Sequence, residues 1–292
     1  MNDNSTLAAD DMLREWAVQP TEGRDWDAEI TSRVRFLQQT LISAGRNRLV
    51  LGISGGVDSL VAGKLCQLAI DGLKTRDPGA AFIAVRLPYG VQADEGDAQA
   101  SIAFIGPDRT DLVDIEPAVN AIHTAVMGAA SSNHDLPDEA RLDFERGNVK
   151  ARVRMTVQYE IAALNNGLVV GTDHNAEGIT GFYTKWGDGA CDLLPLRGLN
   201  KRQVRLLGKA LGAGPELHEK PATADLEDLR PLRSDEEALG VTYDVIDDFL
   251  EGKAIADADL RRIKAQYLKT QHKRSDPPAA MGPFTGQDSQ TR

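Results

Sequence analysis

A glycine-rich turn between a strand and a helix constrains the fold more than any other feature of this 292-residue chain. The apolar run at 48–53 predicts a buried strand, and from Ser59 onward apolar residues repeat at helical spacing. Glycines let backbone N–H groups approach a phosphate closely, and the N-terminus of the following helix adds a favourable dipole. The turn itself consists of Gly52, Ile53, Ser54, Gly55, Gly56, Val57, Asp58 and Ser59.

The side chains of this turn suit a phosphate ligand, although the turn is not a Walker A loop. Ser54 and Ser59 supply hydroxyl donors, and Asp58 can hold a divalent cation. The Gly-Lys-Ser/Thr ending of a Walker A loop is missing. An ordinary turn in which Asp58 and Ser59 cap the helix is the alternative, and the complete SGGxDS string favours phosphate binding over it.

The rest of the chain alternates strands and helices, which predicts an α/β fold with a doubly wound, mostly parallel sheet. A helix is expected around 30–41, 131–147 reads as a loop, and additional helices are expected near the C-terminus. We divide the chain into a polar N-terminal segment (1–24), a single domain (25–274) and a polar tail (275–292). Predicted strands lie at 48–53, 81–87, 111–115 and 167–171. The other predicted helices lie at 59–73, 95–105, 117–130, 148–165, 200–212, 242–251 and 257–270.

Composition excludes several classes of function. Lys plus Arg number 33 and Asp plus Glu 44, a net charge of −11, which argues against non-specific binding to nucleic acid. Two cysteines, Cys66 and Cys191, form no zinc-spaced set and fit a reducing cytoplasm. We find neither a signal peptide nor a stretch long enough to cross a bilayer. A cytoplasmic protein that binds neither membrane nor nucleic acid is expected.

The SGGxDS string resembles the pyrophosphatase-type loop of enzymes that split ATP into AMP and pyrophosphate. Asparagine, argininosuccinate, GMP and NAD synthetases resemble one another at this loop, as do several tRNA-modifying enzymes. Further segments make the chain similar to ammonia-dependent NAD synthetases from near residue 30 to near residue 274. These segments are GNVKARVR at 147–154, GTDHNAEGITGFYTKW at 171–186, GDGACDLLPL at 187–196, LNKRQ at 199–203, PATADLED at 221–228, LGVTYDVIDDFLEG at 239–252 and QHKR at 271–274.

This resemblance implies a ligase of the adenine-nucleotide-binding (ATP pyrophosphatase) fold that acts as a homodimer. ATP would adenylate the nicotinate carboxylate of deamido-NAD, and ammonia would displace AMP to give NAD. Magnesium is implied, with Asp58 and Glu177 as its carboxylate ligands. The positions implied to bind ATP are Gly52, Ser54, Gly55, Gly56, Val57, Asp58, Ser59, Arg86, Thr172, Lys201 and Thr223.

A second set of positions is implied for deamido-NAD, near the dimer interface. Arg152 and Lys273 are expected to pair with phosphates, and Phe144 to stack on the pyridine ring. Asp188 is expected to attract ammonium and take its proton, with His174 a secondary candidate. The implied deamido-NAD positions are Phe144, Asn148, Arg152, Lys185, Asp192, His272 and Lys273.

Each of these residues also has a structural interpretation when taken singly. Glu177 could stabilise a helix start, Lys185 and Lys201 could be surface lysines, and Asp188 and Asp192 could form turns. Arg152 and Arg154 could be a solvated helix face. The occurrence of all these residues in the family's order favours the functional interpretation.

The chain also departs from the family pattern at several positions. Val57 replaces a common glutamine, which removes a side-chain amide but leaves the backbone cradle. Asn175 and Gly178 replace commoner alanines, and Cys191 or the nearby Ala190 lies where a glycine is common. We expect altered detail with retained chemistry.

The nitrogen donor and the substrate class each leave alternatives open. Only about 45 residues precede the first strand, too few for the glutaminase domain of glutamine-dependent NAD synthetases, so free ammonia is expected. A separate glutaminase partner stays open. A tRNA-thiolating or lysidine-forming enzyme is disfavoured by charge and cysteine placement, and a nucleotide-sensing module by retention of both Asp58 and Glu177.

Overall fold

Four parallel strands form the central sheet of a computed structural model that describes residues 9–90, 95–130, 137–221, 223–224, 228–229 and 233–279. Their order across the sheet is β3-β2-β1-β4, so the first strand lies inside and the chain winds outward in both directions. This arrangement confirms the predicted α/β class. The strands are β1 (Arg48–Gly52), β2 (Ala81–Arg86), β3 (Arg109–Leu112) and β4 (Gly167–Val169).

Twelve helices lie in the described part of the chain. Some cover the two faces of the sheet, and others pack together around a third core. The helices are α1 (Ala9–Trp16), α2 (Trp26–Ser43), α3 (Val57–Leu73), α4 (Glu95–Ile105), α5 (Glu116–Ala130), α6 (Glu139–Leu164), α7 (Asn175–Thr180), α8 (Lys201–Ala210), α9 (Pro215–His218), α10 (Asp235–Leu239), α11 (Tyr243–Leu250) and α12 (Asp257–Lys269). A short antiparallel pair, β5 (Thr223–Ala224) and β6 (Arg233–Ser234), and a 3-10 helix, Gln271–Lys273, complete the described elements.

Side-chain alternation along the strands gives the sheet two buried faces. Leu49 and Leu51 of β1 point into a core shared with α2, α3, α4 and α8. Val50, between them, points to the opposite face, where it packs with residues of α5 and α6. Burial on both faces explains why β1 and β2 read as continuous apolar runs, whereas β3 at the edge of the sheet is mostly exposed.

A third core lies outside the sheet and joins the two ends of the described chain. It contains residues from α1, α7, α10, α11 and α12. Met12 and Trp16, four residues apart on α1, are 0% and 1% exposed. We did not predict this role for the polar N-terminal segment, because the apolar residues of its helix, Ala9, Met12, Leu13 and Trp16, extend over only eight residues. Of the described helices, none has the length and apolarity that a membrane span requires.

Two predicted boundaries are wrong. The strand expected at 111–115 begins two residues earlier, as β3, and the part of the expected loop that the structure describes contains the first nine residues of α6. The N-terminal half of α6 buries polar residues, so the usual apolar periodicity is missing there. Asp143 accepts hydrogen bonds from the backbone N–H groups of Asp228 and Leu229, and Lys150 Nζ lies 2.6 Å from Asp228 Oδ1. These contacts tie α6 to the segment before α10.

Glu251, at the end of α11, connects the N-terminal segment to the rest of the molecule. Its carboxylate accepts hydrogen bonds from Thr21 Oγ1 at 2.5 Å and Asn200 Nδ2 at 3.0 Å. Lys253 Nζ lies 2.9 Å away, and only 2% of the Glu251 side chain is exposed. Burial opposes ionisation, but the hydrogen bonds from Lys253, Thr21 and Asn200 outweigh it and lower the pKa of Glu251 to about 2.

Glu251→Gln tests this connection through the pH dependence of stability. Because the pKa is lower in the folded than in the unfolded chain, the carboxylate stabilises the fold above about pH 4.3, and that contribution is lost as the pH falls toward 2. We expect the variant to lose roughly 1–2 kcal/mol of unfolding free energy at pH 7. This range allows for the screening by solvent of the interaction with Lys253, which is partly exposed. Urea melts from pH 2.5 to 7 measure this.

Asp244→Asn, an exposed position on the same helix, is the matched control for the Glu251 variant. It should change the unfolding free energy by less than about 0.5 kcal/mol at each pH. A Glu251→Gln protein that keeps the acid sensitivity of the unchanged protein would contradict this account.

Candidate active site

The glycine-rich turn folds as a backbone cradle at the carboxyl end of β1. Gly55 has φ +85°, and a Cβ atom there would lie 2.8 Å from the backbone nitrogen of Ala98. Glycine is therefore required both for the backbone angle and for the close approach of α4. Ser54 N donates to Ser59 Oγ at 3.3 Å, and Ser59 Oγ donates to Gly56 O at 3.0 Å. These bonds hold the loop in shape at the N-terminus of α3.

Val57 contributes to the core instead of the cradle. Its side chain is 3% exposed and packs among the apolar residues between α3 and α8. The side chain at this position therefore lies away from the loop surface, and the retained chemistry expected for Val57 stays a prediction.

An ion pair lies directly beneath the loop. Asp58 Oδ2 accepts a hydrogen bond from Lys201 Nζ at 2.7 Å, although 143 residues separate the two in sequence. Lys201 is 1% exposed and begins α8, while its ammonium lies 4.9 Å from the ring centroid of Tyr243. Glu177 Oε1 is 4.0 Å from the same ammonium. One buried cation thus faces two carboxylates.

The charges of this group shift its pKa values in opposite directions. Burial disfavours the charged form of Asp58, but the attraction of Lys201 outweighs it and lowers the pKa of Asp58. Burial and the charge of Asp58 raise the pKa of Glu177 well above its ordinary value. The pKa of Lys201 is raised, because attraction to Asp58 and Glu177 outweighs its burial. The surplus of carboxylate favours a further cation at this position.

His174 joins the two carboxylates and completes a donor set. Ligand atoms of Asp58, His174 and Glu177 lie within 4.8 Å of one another. His174 is 0% exposed, and burial lowers its pKa to about 3, so the imidazole is neutral. Among the described residues, neither ring nitrogen of His174 nor Asp58 Oδ1 has a hydrogen-bond partner. Unpaired buried oxygen and nitrogen atoms that converge in this way fit a divalent cation.

A second group of expected site residues meets at the turn after α7. Lys185 Nζ donates to His272 O at 2.5 Å, and Lys273 Nζ donates to Gly181 O at 2.8 Å. Tyr183 OH in turn donates to Lys273 O at 3.2 Å. The structure therefore brings Lys185, His272 and Lys273 together from segments about 90 residues apart.

Helix α6 forms the opposite wall of this region. Phe144, Asn148 and Arg152 are spaced by four residues and so lie on one face of α6. Thr184 Oγ1 lies 3.0 Å from Asn148 Oδ1, which joins this face to the turn after α7. Phe144 is 47% exposed, and Arg152 is exposed too. These side chains are accessible to a ligand.

Asp192, also expected to bind deamido-NAD, is held against β4. Its Oδ2 accepts a hydrogen bond from Val169 N at 2.7 Å, and its backbone N–H donates to Val169 O at 2.8 Å. The residue remains exposed, so a carboxylate oxygen is accessible while the backbone is fixed.

Asp188 lies in the same turn, with its carboxylate held by the backbone. Oδ1 accepts a hydrogen bond from Thr184 N at 3.0 Å. The residue has an exposed edge, but the atoms packed around its carboxyl group raise the pKa of Asp188. Asp173, which sequence reasoning missed, is 8% exposed. Burial and the charge of Asp188 raise the pKa of Asp173 to about 8. A pair of carboxyl groups that share charge is suited to holding a proton or a small cation.

The remaining expected ATP residues differ in how directly they meet the site. The Arg86 guanidinium, 6% exposed, is paired through two nitrogens with the carboxylate of Glu95. Among the described residues, its Nε has no hydrogen-bond partner, so one donor of the guanidinium is not engaged by Glu95. Thr172 is partly buried just past the end of β4. Thr223 lies in β5, and its side chain falls outside the described part of the structure.

Trp186 is a further candidate that sequence reasoning missed. It is 58% exposed and has φ +60°, an unfavourable backbone angle for a bulky side chain. Lys185 Nζ lies 5.5 Å from its ring centroid. An exposed aromatic ring in a strained turn beside Lys185 and Asp188 suggests a binding role. The sequence feature that could have identified Trp186 is its position within the GFYTKWGDG string, between Lys185 and Asp188.

Comparisons with known proteins agree with this geometry. The family model described as NAD synthase matches residues 29–277. The NH(3)-dependent NAD(+) synthetase of Pseudoalteromonas translucida is 56% identical over 264 residues, which cover 89% of this chain and 94% of the relative.

Two solved structures have the same fold over most of their length. NAD+ synthetase from Burkholderia pseudomallei is 46% identical with a TM-score of 0.77, covering 92% of this chain and 96% of that chain. NMN synthetase from Francisella tularensis is 32% identical with a TM-score of 0.75, covering 88% of this chain and 99% of that chain. The family model spans the phosphate loop, the buried ion pair and the region of Lys185 and Lys273. This chain therefore belongs to the NAD synthase family.

Proposed function

We propose that this chain is an ammonia-dependent NAD synthetase that uses ATP to convert the nicotinate carboxylate of deamido-NAD into an amide. The observation that carries the proposal is the buried cluster of Asp58, Glu177 and Lys201 beneath a phosphate cradle. The relatives named NH(3)-dependent NAD(+) synthetase, 54–56% identical to this chain, support this substrate and this nitrogen donor. Family membership argues against the tRNA-modifying and nucleotide-sensing alternatives.

Asp58 and Glu177 are proposed to hold magnesium with the phosphates of ATP, and the neutral His174 lies beside them. Two carboxylates and phosphate oxygens are the hard ligands that magnesium prefers. When bound, the ion would neutralise phosphate charge and polarise the transferring group. Lys201 already occupies this space with a positive charge, so its ammonium is positioned to shift toward the phosphates when ATP arrives.

The first step joins the two substrates. A carboxylate oxygen of deamido-NAD attacks the α-phosphorus of ATP, the bond from that phosphorus to the bridging oxygen breaks, and pyrophosphate leaves. The loop amides of 54–57, the start of α3 and Lys201 stabilise the negative charge that gathers in this transition state. Arg152 and Lys273 are proposed to hold the dinucleotide phosphates, with Asn148, Lys185, Asp192 and His272 around them.

The second step releases AMP. The nitrogen of ammonia attacks the acyl carbon of the adenylate, the bond from that carbon to the AMP oxygen breaks, and one proton leaves the nitrogen. Asp188 is proposed to take this proton, since the raised pKa of its carboxyl makes it a stronger base. Asp173 lies close enough for its pKa to respond to Asp188, so the pair can attract ammonium.

A mononucleotide substrate is the second candidate. The structural similarity to NMN synthetase from Francisella tularensis raises it, because that name indicates a smaller product made on the same fold. The relatives at higher identity favour the dinucleotide. The two differ by the adenylate half of deamido-NAD, so comparison of the two substrates separates them.

Product analysis of the purified protein tests the proposed reaction. With ATP, magnesium, deamido-NAD and ammonium together, NAD and AMP should appear in equal amounts, and omission of any component should abolish both. Chromatography with mass detection measures them. Nicotinate mononucleotide in place of deamido-NAD should give far less amide product.

Two variants test the role of Asp58 in the same assay. Asp58→Asn removes a proposed metal ligand and should lower the rate by about 100-fold or more. Asp71→Asn, an exposed carboxylate on the same helix, should not change it. NMN formation in preference to NAD would replace the proposed substrate, and AMP formation without either amide would refute both.

Trp186 is proposed to stack on a ring of the dinucleotide. Trp186→Ala should raise KM for deamido-NAD by about tenfold, since stacking of a base on an aromatic ring is worth about 1–3 kcal/mol. KM for ATP should stay within about twofold. Initial rates at varied concentrations of each substrate measure both constants.

Trp186→Phe is the matched control for this prediction. It keeps an aromatic ring on the same backbone and should behave nearly as the unchanged protein does. Equal KM values for deamido-NAD in the alanine and tryptophan proteins would show that the ring does not contact this substrate.

A homodimer and a cytoplasmic location belong to the same proposal. Ile122 and Val126, 45% and 59% exposed, lie four residues apart on α5, and Leu112 of the edge strand β3 is 64% exposed. Exposed aliphatic residues on one layer are typical of a protein interface. The neighbouring α6 carries Phe144 and Arg152, so a partner at this layer would meet the dinucleotide site. The unpaired state of both cysteines fits a reducing cytoplasm.

Val126→Glu tests the dimer by placing a charge in the proposed interface. The protein should change from dimer to monomer in light scattering coupled to size exclusion, because an unpaired buried charge costs several kcal/mol. Ile42→Glu, an exposed aliphatic on α2 at the opposite face of the sheet, is the control and should remain dimeric. A monomeric unchanged protein at micromolar concentration would refute the dimer.

A further inference from the structure

Helix α7 carries Glu177, and its position depends on a tight contact with the N-terminal helix. Trp16 is the last residue of α1 and is 1% exposed. Its ring lies directly against the Cα of Gly178, so closely that a Cβ atom at that position would overlap with the ring. The residue next to the proposed metal ligand is therefore in contact with a helix about 160 residues earlier in the chain.

Hydrogen bonds fix the same contact from its other side. Asn175 is 4% exposed, and its Nδ2 donates to the carbonyl oxygen of Trp16 at 2.8 Å. Its Oδ1 accepts from Gly198 N, also at 2.8 Å. One buried amide thus joins the end of α1, the first turn of α7 and the segment that leads into α8, which begins with Lys201.

A stacked guanidinium extends the contact toward the second carboxylate pair. Arg197 lies over the Trp16 ring, with its central carbon 3.8 Å from the ring centroid. The charge of Arg197 acts on Asp173, where it partly counters the rise in the pKa caused by burial. Trp16 is therefore next to the backbone of α7 and to a cation that faces the reaction centre.

We infer that Trp16 is a positioning residue for the binding of the divalent cation and ATP. It affects their binding by setting where α7 holds Glu177. This inference rests on the proposed function for the identity of the ligands. Trp16 is 1% exposed, so we assign it no direct contact with a substrate. It acts because its ring lies directly against Gly178, the residue after Glu177, so the space that the ring occupies limits how far Glu177 can stand from Asp58.

Gly178→Ala is the most direct test, because it adds one methyl group where the ring lies. The variant should bind Mn2+ in the presence of ATP about 10- to 100-fold more weakly, the range found when the support of a metal ligand is changed. The electron paramagnetic resonance signal of free Mn2+ measures this without turnover. KM for ATP should rise in parallel, while KM for deamido-NAD should change by less than about threefold.

A double variant separates positioning from general damage. Trp16→Leu combined with Gly178→Ala provides space for the new methyl group and should recover most of the Mn2+ affinity. Gly72→Ala is the control, since its Cβ would overlap only with the flexible amide end of Gln38, far along α3 from the loop. It should bind Mn2+ as the unchanged protein does. No recovery in the double variant would overturn the inference.

Trp16→Phe keeps the test decisive if Gly178→Ala does not fold. The smaller ring leaves a gap against Gly178, so a folded variant should bind Mn2+ with ATP severalfold more weakly. Unchanged affinity in a folded Trp16→Phe protein would overturn the inference. The two proposals fail in different experiments. If the proposed function is wrong, the unchanged protein makes no NAD, whereas if the Trp16 inference is wrong, Mn2+ binding does not change in the variants.

Discussion

The ion pair between Lys201 and Asp58 is the interaction around which the active region is organised. It joins the first residues of α3 and α8, two helices that pack on the same face of the sheet, and it is shielded from water by Tyr243. A buried pair of this kind is costly to form and still more costly to leave half-formed. Its presence beneath a phosphate cradle is therefore better explained by ligand binding than by stability. One buried cation and two carboxylates are thus held together beneath the loop, where the proposed ligands would share them.

Much of this site was predictable because its chemistry is local in sequence. The cradle needs glycine, serine and aspartate within eight residues, and that density of signals gave both the loop and its ligand class. Lys201 and Glu177 were predicted from family resemblance, and the structure brings both to Asp58. Their roles toward ATP and magnesium stay predictions. The alternation of strands and helices gave the sheet, since strands buried on both faces read as uninterrupted apolar runs.

What sequence reasoning missed depends on contacts between distant segments. The first half of α6 buries Asp143 and Lys150, so apolar periodicity is weak where the helix begins. Helix α1 places Ala9, Met12, Leu13 and Trp16 at helical spacing, but the pattern extends over only eight residues, and the core that they join is formed by segments more than 150 residues away. The start of α6 has no local pattern that reveals it. His174 was uncertain for a related reason: its importance lies in two unpaired ring nitrogens, which only the folded chain shows.

The fold explains three of the departures from the family pattern, which are Val57, Asn175 and Gly178. Val57 is part of the apolar core, so its side chain lies away from the cradle. Gly178 has no side chain where the Trp16 ring lies, and Asn175 satisfies the carbonyl at the end of α1. An alanine at either position would leave an overlap or an unpaired buried group in this chain. Asn175 and Gly178 therefore belong with the N-terminal helix, and each is explained by its contact with Trp16.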